Sequence, residues 1–455
     1  MALAPRFDAE RRGLTRRQFL GALVVGGAAS LLAASTSALA SSAPSAPART
    51  AAPLTSALSG KIVLGAFDDP ALEPMKPFVD EWSKKTGVQW DWESMPYSTW
   101  YEKALNDGQS KTGAYDIYIL DDPWVPIFAA GGYLANLTKM GFTPDADFQQ
   151  QSMDLGYWPP RQGPRAPGAT GDPQVFAIPT IGDVMVLAWR KDIFPSEPQT
   201  WDDIVATAQA KADPAHEQYG WVTRGVKGNP ITVSWLPFLN SFGGEVFDDK
   251  WNLTVNSDAG IGALELYISL RQWEPDGVAE FDYDQEGATF LAGKAFAANL
   301  WTGITRQVDL PDKSSVVGKV EFGIPPAKVR HAAHIGLFIS GVSAYSKNPD
   351  AALDFLSWFA QTDVQTRFAE AGGTPVKRPS FEDPTAVSKA RWLPALLKAL
   401  DNSFPRPRTP EWSKCEDILG THLNEAFVAR GGAKEALDAA AQEIHDYLAS
   451  VGYYS

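Results

Sequence analysis

Cysteine is almost missing from these 455 residues: Cys415 stands alone, which excludes an internal disulfide, a cysteine zinc site and paired-thiol redox chemistry. Histidine is scarce too, and its one close pair, His331 and His334, lies in a segment without helical pattern or a third ligand, so neither a metal nor a cofactor is expected. There is no GxSxG, HExxH or phosphate-binding glycine loop. Positive charge is in deficit, with a formal net charge of −14. Arg6, Arg11, Arg12, Arg16 and Arg17 against Asp8 and Glu10 give residues 1–40 a net +3, so the remainder stands at −17. Such acidity argues against nucleic acid or an anionic membrane as partner. The apolar segment near the N-terminus is broken by Gly26, Gly27 and Ser30 and falls short of the ~20 residues a spanning helix needs.

What is present begins with an address. Residues 12–40 read RGLTRRQFLGALVVGGAASLLAASTSALA: basic residues, an apolar segment, then small residues ending in Ala38-Leu39-Ala40. That order is a signal peptide's, with cleavage expected after Ala40, and Leu14-Thr15-Arg16-Arg17-Gln18-Phe19-Leu20 resembles the twin-arginine export motif. No cysteine follows to take a lipid, so a periplasmic or extracellular protein without a lipid anchor is expected. Residues 41–60, rich in Ala, Ser and Pro, read as a flexible leader.

Beyond residue 60 strand and helix patterns alternate. Strands are expected at Lys61–Phe67, Val88–Glu93 and Tyr115–Leu120, with helices over 72–85 and 98–106, which is the pattern of an α/β fold with a mostly parallel sheet. At this length two lobes are expected. The first and third strands each run into Asp-Asp-Pro, at Asp68-Asp69-Pro70 and Asp121-Asp122-Pro123. The second Asp of each suits a helix N-cap with Pro after it. The first is left to face the carboxyl edge of a parallel sheet, where such folds place ligands. Trp124 adds an aromatic surface beside one of them, and Tyr97 follows the second strand.

The stretch from Gln174 to Ile204, QVFAIPTIGDVMVLAWRKDIFPSEPQTWDDI, holds one acid, Asp183, inside an apolar β-branched run. It reads as a buried strand that leaves one lobe and enters the other, with Asp183 at the crossing; the alternative is a buried strand whose Asp caps a neighbouring helix. Thr200-Trp201-Asp202-Asp203 then opens a helix. Further crossings are expected near Ile335–Ala344 and Gly372–Val376. Lobe 1 is then residues 61–184 and 340–380, and lobe 2 residues 185–339 and 381–455. Arg406 and Arg408 lie in a proline-broken extended segment, and Cys415 reads as a small buried apolar residue on a helix.

Five blocks carry a resemblance: YDIYILDDPWVPIFAAGGYLANL (115–137), VFAIPTIGDVMVLAWRKDIF with PQTWDDI (175–204), NSFGGEVF (240–247), EGATFLAGKAFAANLWTG (286–303), and GVSAYSKNPDAALDFLSWF through GGTPV (341–376). In order and spacing they resemble the extracellular solute-binding proteins of sugar-type ABC transporters, the class that includes maltose- and polyol-binding proteins. The resemblance implies a two-lobed α/β periplasmic-binding-protein fold of type II, whose crossing strands form a hinge that closes on a ligand. On this chain it implies ligand contacts from Asp68, Asp69, Asp121, Asp122 and Trp124, from the hinge acid Asp183, and from the lobe-two aromatics Trp235 and Trp301. Tyr97 and Arg406 complete the set. Phe381–Lys389 departs from the family's pattern, which leaves the third crossing open.

Residue chemistry agrees with a neutral polyhydroxylated ligand: carboxylates accept paired hydroxyls, Arg donates in a fork, and indole faces pack on sugar C–H groups. Most of the 16 tryptophans read as core, leaving Trp124, Trp235 and Trp301 for a cleft. The expected function is capture of a sugar or polyol and its delivery to an ABC transporter permease, by a monomer that catalyses nothing. The alternatives are a secreted glycoside hydrolase and a binding protein for a non-sugar solute such as a phosphorylated polyol. The hydrolase needs two carboxylates roughly 5–10 Å apart across one bond, whereas the acids here sit in adjacent capping positions. The phosphorylated solute needs more Arg and Lys than the expected cleft supplies.

Overall fold

Ile117–Asp121 is buried at every residue and forms the middle strand of a five-stranded sheet, while the polar Gln89–Met95 is an edge. The order is Gln89–Met95, Lys61–Phe67, Ile117–Asp121, Phe338–Val342, Ile178–Ile181. The first three strands are parallel and Phe338–Val342 runs antiparallel to both of its neighbours. Their common direction brings the carboxyl ends Phe67, Met95 and Asp121 to one side, which sets up a ligand edge. The computed structural model describes residues 58–454; the expected signal peptide and all but the end of the leader lie outside them.

A second sheet has three strands, Val186–Arg190 between Ala297–Leu300 and Val320–Gly323, both pairings antiparallel. The helices Trp201–Lys211, Asn229–Ser241, Asp258–Leu270, Trp412–Ala429 and Ala433–Ser450 supply its lobe with a core of Trp201, Phe238, Tyr267 and Trp412, which Trp221 joins from a loop. Trp201 stacks on Phe238 at 3.8 Å between ring centroids, and its helix starts at a capping box between Thr200 and Asp203. Cys415 is fully buried on the helix expected for it. Beside this sheet Tyr219 pairs with Ala295 through a single parallel bridge.

The chain leaves the first sheet at Ile181 and enters the second at Val186, with Asp183 in the four-residue gap. It returns alongside itself: Gly336 N–H donates to the Asp183 carbonyl at 3.1 Å and Met185 N–H to the His334 carbonyl at 3.0 Å. The third crossing corrects the sequence reading. Gly372–Val376 stays with the first lobe, where the Thr374 carbonyl accepts from Gly182 N–H and Val376 is core. Helices Arg378–Glu382, Pro384–Lys389 and Leu393–Asp401 remain there too, burying Phe381, Leu393, Leu396 and Leu400 in the first core. The chain crosses only at Ser403–Phe404, which pairs in parallel with Ala333–His334. A leucine-rich helix face fits either core equally well, so the apolar pattern alone could not say which.

Candidate functional site

Between the lobes lies a cavity of about 820 Å³, within the size usual for small-molecule sites. From the first lobe come Phe67, Asp68, Asp69, Tyr97, Asp121 and Phe338; from the second, Arg224, Lys227, Asn229, the run Asp282 to Gln285 and Trp301; from the crossings, Asp183, Gly336 and Arg406. The first Asp-Asp-Pro behaves as its pattern suggests. Asp69 Oδ1 accepts from Ala71 N–H at 2.7 Å as the cap of the turn Pro70–Met75, and Asp68 is exposed to the cavity.

Asp183 is 4% exposed and gives one oxygen wholly to Thr302: Oδ1 accepts from its N–H at 3.0 Å and its hydroxyl at 2.7 Å. Thr302 opens the short helix Thr302–Thr305, so the crossing acid also serves as a helix cap, and the two readings of Asp183 hold together. Among the described residues Oδ2 has no partner. Burial, and then the nearby charge of Asp69, push the Asp183 carboxyl up to about 8 despite the Thr302 bonds. Asp69 is pushed up to about 6 by burial, against its cap bond and the charges of Arg224 and Arg306.

The second Asp-Asp-Pro departs from expectation. Asp122 caps no helix; it is fully buried, with Oδ2 accepting from Leu337 N–H at 3.2 Å and from Arg406 at 3.0 Å, and Oδ1 from Arg408 at 3.2 Å. Arg406 forks onto Asp121 at 2.8 and 2.5 Å, and Tyr97 donates to Asp121 Oδ2 at 2.6 Å. Asp121 therefore holds two other cavity side chains in place. Arg406, bonded to both acids, and Arg408, bonded to Asp122, build a desolvated network, in which Arg406 Nε stays without a partner among the described residues.

Seven of the ten expected residues line the cavity: Asp68, Asp69, Tyr97, Asp121, Asp183, Trp301 and Arg406. Asp122, Trp124 and Trp235 do not. Trp124, 3% exposed, backs Tyr97 at 4.7 Å between ring centroids. Trp235 is fully buried in the second core on the helix Asn229–Ser241, whose neighbours Asn229, Pro230 and Val233 reach the cavity instead. Trp301 does face it, braced edge-on by His334 at 5.9 Å. His331 and His334 form no site, and among the described residues no cluster of His, Cys, Asp and Glu could hold a metal ion.

The sequence reading missed Arg224, whose Nε and Nη2 both donate to Asp282 Oδ1, at 3.0 and 2.7 Å, and the Asp282–Gln285 turn. That turn is a capping box, and its Asp-x-x-Gln signal could have been found as a helix start, though not as a cavity wall. Tyr283 ends in a buried hydroxyl without a partner among the described residues. Glycine is required at two close approaches: a Cβ on Gly303 would lie 2.1 Å from the Tyr283 hydroxyl and 3.0 Å from Asp69 Oδ1, and one on Gly336 would lie 2.6 Å from the Trp301 ring.

Comparison with known proteins places this geometry. The model of the family described as bacterial extracellular solute-binding protein matches residues 69–366. A "probable amino-acid ABC transporter periplasmic-binding protein" of Sinorhizobium fredii is 24% identical over 420 residues, 89% of this chain and 93% of its own. Among solved structures, an ABC transporter solute-binding protein from Agrobacterium radiobacter K84 in complex with ribitol superposes with a TM-score of 0.74 at 26% identity, covering 85% of this chain and 98% of that one. The maltose-bound MalE3 of T. maritima gives a TM-score of 0.75 at 23% identity, covering 85% and 100%, and shows the fold alone.

Proposed function

The chain belongs to the bacterial extracellular solute-binding proteins, and on that premise we propose that it captures a sugar or polyol between its lobes and delivers it to the permease of an ABC transporter. The observation that carries this reading is the cavity itself, whose walls come from both lobes and from the strands that join them. A solute touching both walls favours the closed arrangement by the difference in its affinity for the two states. Carboxylates, aromatic rings, Asn229 and Gln285 suit a hydroxyl-rich molecule. Six lining carboxylates against three cations weigh against a phosphorylated one. The ribitol held by the relative from Agrobacterium radiobacter supports the same class.

In this reading the protein breaks no bond, works as a monomer, and is exported by the twin-arginine route to the periplasm or exterior without a lipid anchor. Among the described residues no helix is long and apolar enough to cross a membrane. Thermal unfolding against polyols, mono- and disaccharides, sugar phosphates and amino acids, with product analysis of every hit, tests the proposal. A concentration-dependent rise with a sugar or polyol that is recovered intact is the expected result. A cleaved ligand would transfer the reading to a hydrolase, and a response confined to phosphates or amino acids would transfer it to another solute.

A further inference from the structure

The charges that line the cavity do not cancel. Arg406 is forked onto Asp121 and also bonds Asp122, and Arg224 donates twice to Asp282 Oδ1, so each of these cations is already matched by carboxylates of the protein. Four lining carboxylates are left, Asp68, Asp69, Asp183 and Asp284, against Lys227, which pairs with no carboxylate among the described residues. Arg306 approaches Asp69 from the second lobe, but its Nη1 donates to the Pro70 carbonyl at 2.8 Å.

The deepest of the four, Asp183, is only 4% exposed and keeps Oδ2 without a protein donor among the described residues, with Asp69 near enough to raise its pKa further. Around the same space stand Phe67, Tyr97, Tyr283, Trp301 and Phe338. A desolvated carboxylate with no counter-ion is unfavourable, and ring faces attract cations. A neutral polyol needs neither feature, because amides and hydroxyls hold its hydroxyl groups equally well.

We propose that the captured solute carries a positive charge: an amine-bearing sugar or polyol, its ammonium group placed between Asp69 and Asp183 and its hydroxyls on Asp68, Asp284 and Asn229. This rests on the reading that the cavity is the solute site. An arriving ammonium group displaces the proton that the buried Asp183 carboxyl holds at neutral pH, and each N⁺–H···O⁻ bond then made is charge-assisted and shielded from water.

Calorimetric titration of the protein with matched compounds tests it: glucose, glucosamine and N-acetylglucosamine, and glucitol with its 1-amino-1-deoxy analogue. The amine is expected to bind at least about ten-fold more tightly than its hydroxyl parent (roughly 1.4 kcal/mol), and acetylation to remove the gain. Asp183→Asn and Asp69→Asn are each expected to bring the amine-to-hydroxyl preference close to one. The side-chain amide oxygen that Asp69→Asn introduces can still accept from the Ala71 N–H, so that variant decides the matter if Asp183→Asn does not fold. A parent that binds as tightly as its amine, or a neutral sugar of the wider panel that binds while no amine does, overturns the inference and leaves the capture reading intact. Binding by no compound of either set overturns both.

Discussion

Asp183 divides its carboxylate between two tasks: Oδ1 takes the N–H and the hydroxyl of Thr302, and Oδ2 is left to the cavity. The first fixes where the second lobe's helix Thr302–Thr305 begins relative to the crossing strand. The second puts a titratable oxygen, which loses its proton near pH 8, at the point where both lobes and the hinge meet. One residue thus ties the placement of Trp301 and Gly303 to the chemistry offered to a solute.

Gly303 is where that placement is tightest. Gly303→Ala sets a methyl group 2.1 Å from the Tyr283 hydroxyl and 3.0 Å from Asp69 Oδ1, so Tyr283 must swing away and Asp69 must give way by a few tenths of an ångström, which displaces two cavity side chains. Calorimetry is expected to show affinity for the best neutral ligand falling about ten-fold or more, roughly 1.4 kcal/mol, while the unliganded unfolding temperature changes little.

Asp121 and Asp68 separate structure from recognition. Asp121→Asn leaves Arg406 with Asp122 as its remaining bonded carboxylate, at 3.0 Å, and keeps one acceptor oxygen where two served Arg406 and Tyr97. The stability loss is expected near the lower end of the roughly 3–5 kcal/mol seen when a buried pair is broken, with weaker ligand binding alongside. Asp68 is exposed, so Asp68→Asn is expected to shift stability by no more than about 0.5 kcal/mol and to change affinity alone. Denaturant titration with and without ligand reads both.

Two tryptophans should part in the same way. Trp235→Phe is expected to lower stability and leave affinity near wild type, because the ring is fully buried away from the cavity. Trp301→Phe is expected to weaken binding, because its ring faces the cavity.

Stability should also depend on pH through Asp183. Its carboxyl titrates at about 8 in the fold against an ordinary value of 3.8. Between those values the folded state holds more protons than the unfolded one, so stability falls as pH rises, by at most about 1.4 kcal/mol per pH unit. Asp69, Asp121, Arg406, Tyr283 and Thr302 surround this carboxyl, and Asp69 adds the same sign up to about 6. Buried Glu274 and Glu286, both at about 8, add it as well. The difference between wild type and Asp183→Asn therefore isolates the Asp183 contribution, and the variant is expected to show the flatter profile in denaturant titrations at pH 5 and pH 8.

The first lobe and the hinge were legible because their signals are local. Alternating strands and helices, Asp69 ahead of Pro70, and an acid inside an apolar run each mean much the same in any context. Asp122 was not legible, since its cap-like motif is overridden by Arg406 and Arg408, which arrive from nearly 290 residues away. Trp235 and Trp301 both sit in apolar surroundings, and only the direction in which helix Asn229–Ser241 presents its faces sends one to the core. Asp282 announces a helix start and is one; that the same turn walls the cavity depends on Arg224, distant in sequence and paired to it only in the fold.

The most direct test of the account is amide hydrogen exchange with and without the neutral sugar or polyol that raises the unfolding temperature most. Protection is expected together at 96–98 on the first lobe and at 282–285 and 301–303 on the second. Protection confined to one lobe, or centred on the groove that Glu265, Gln272 and Arg430 line on the second lobe, would contradict capture between the lobes.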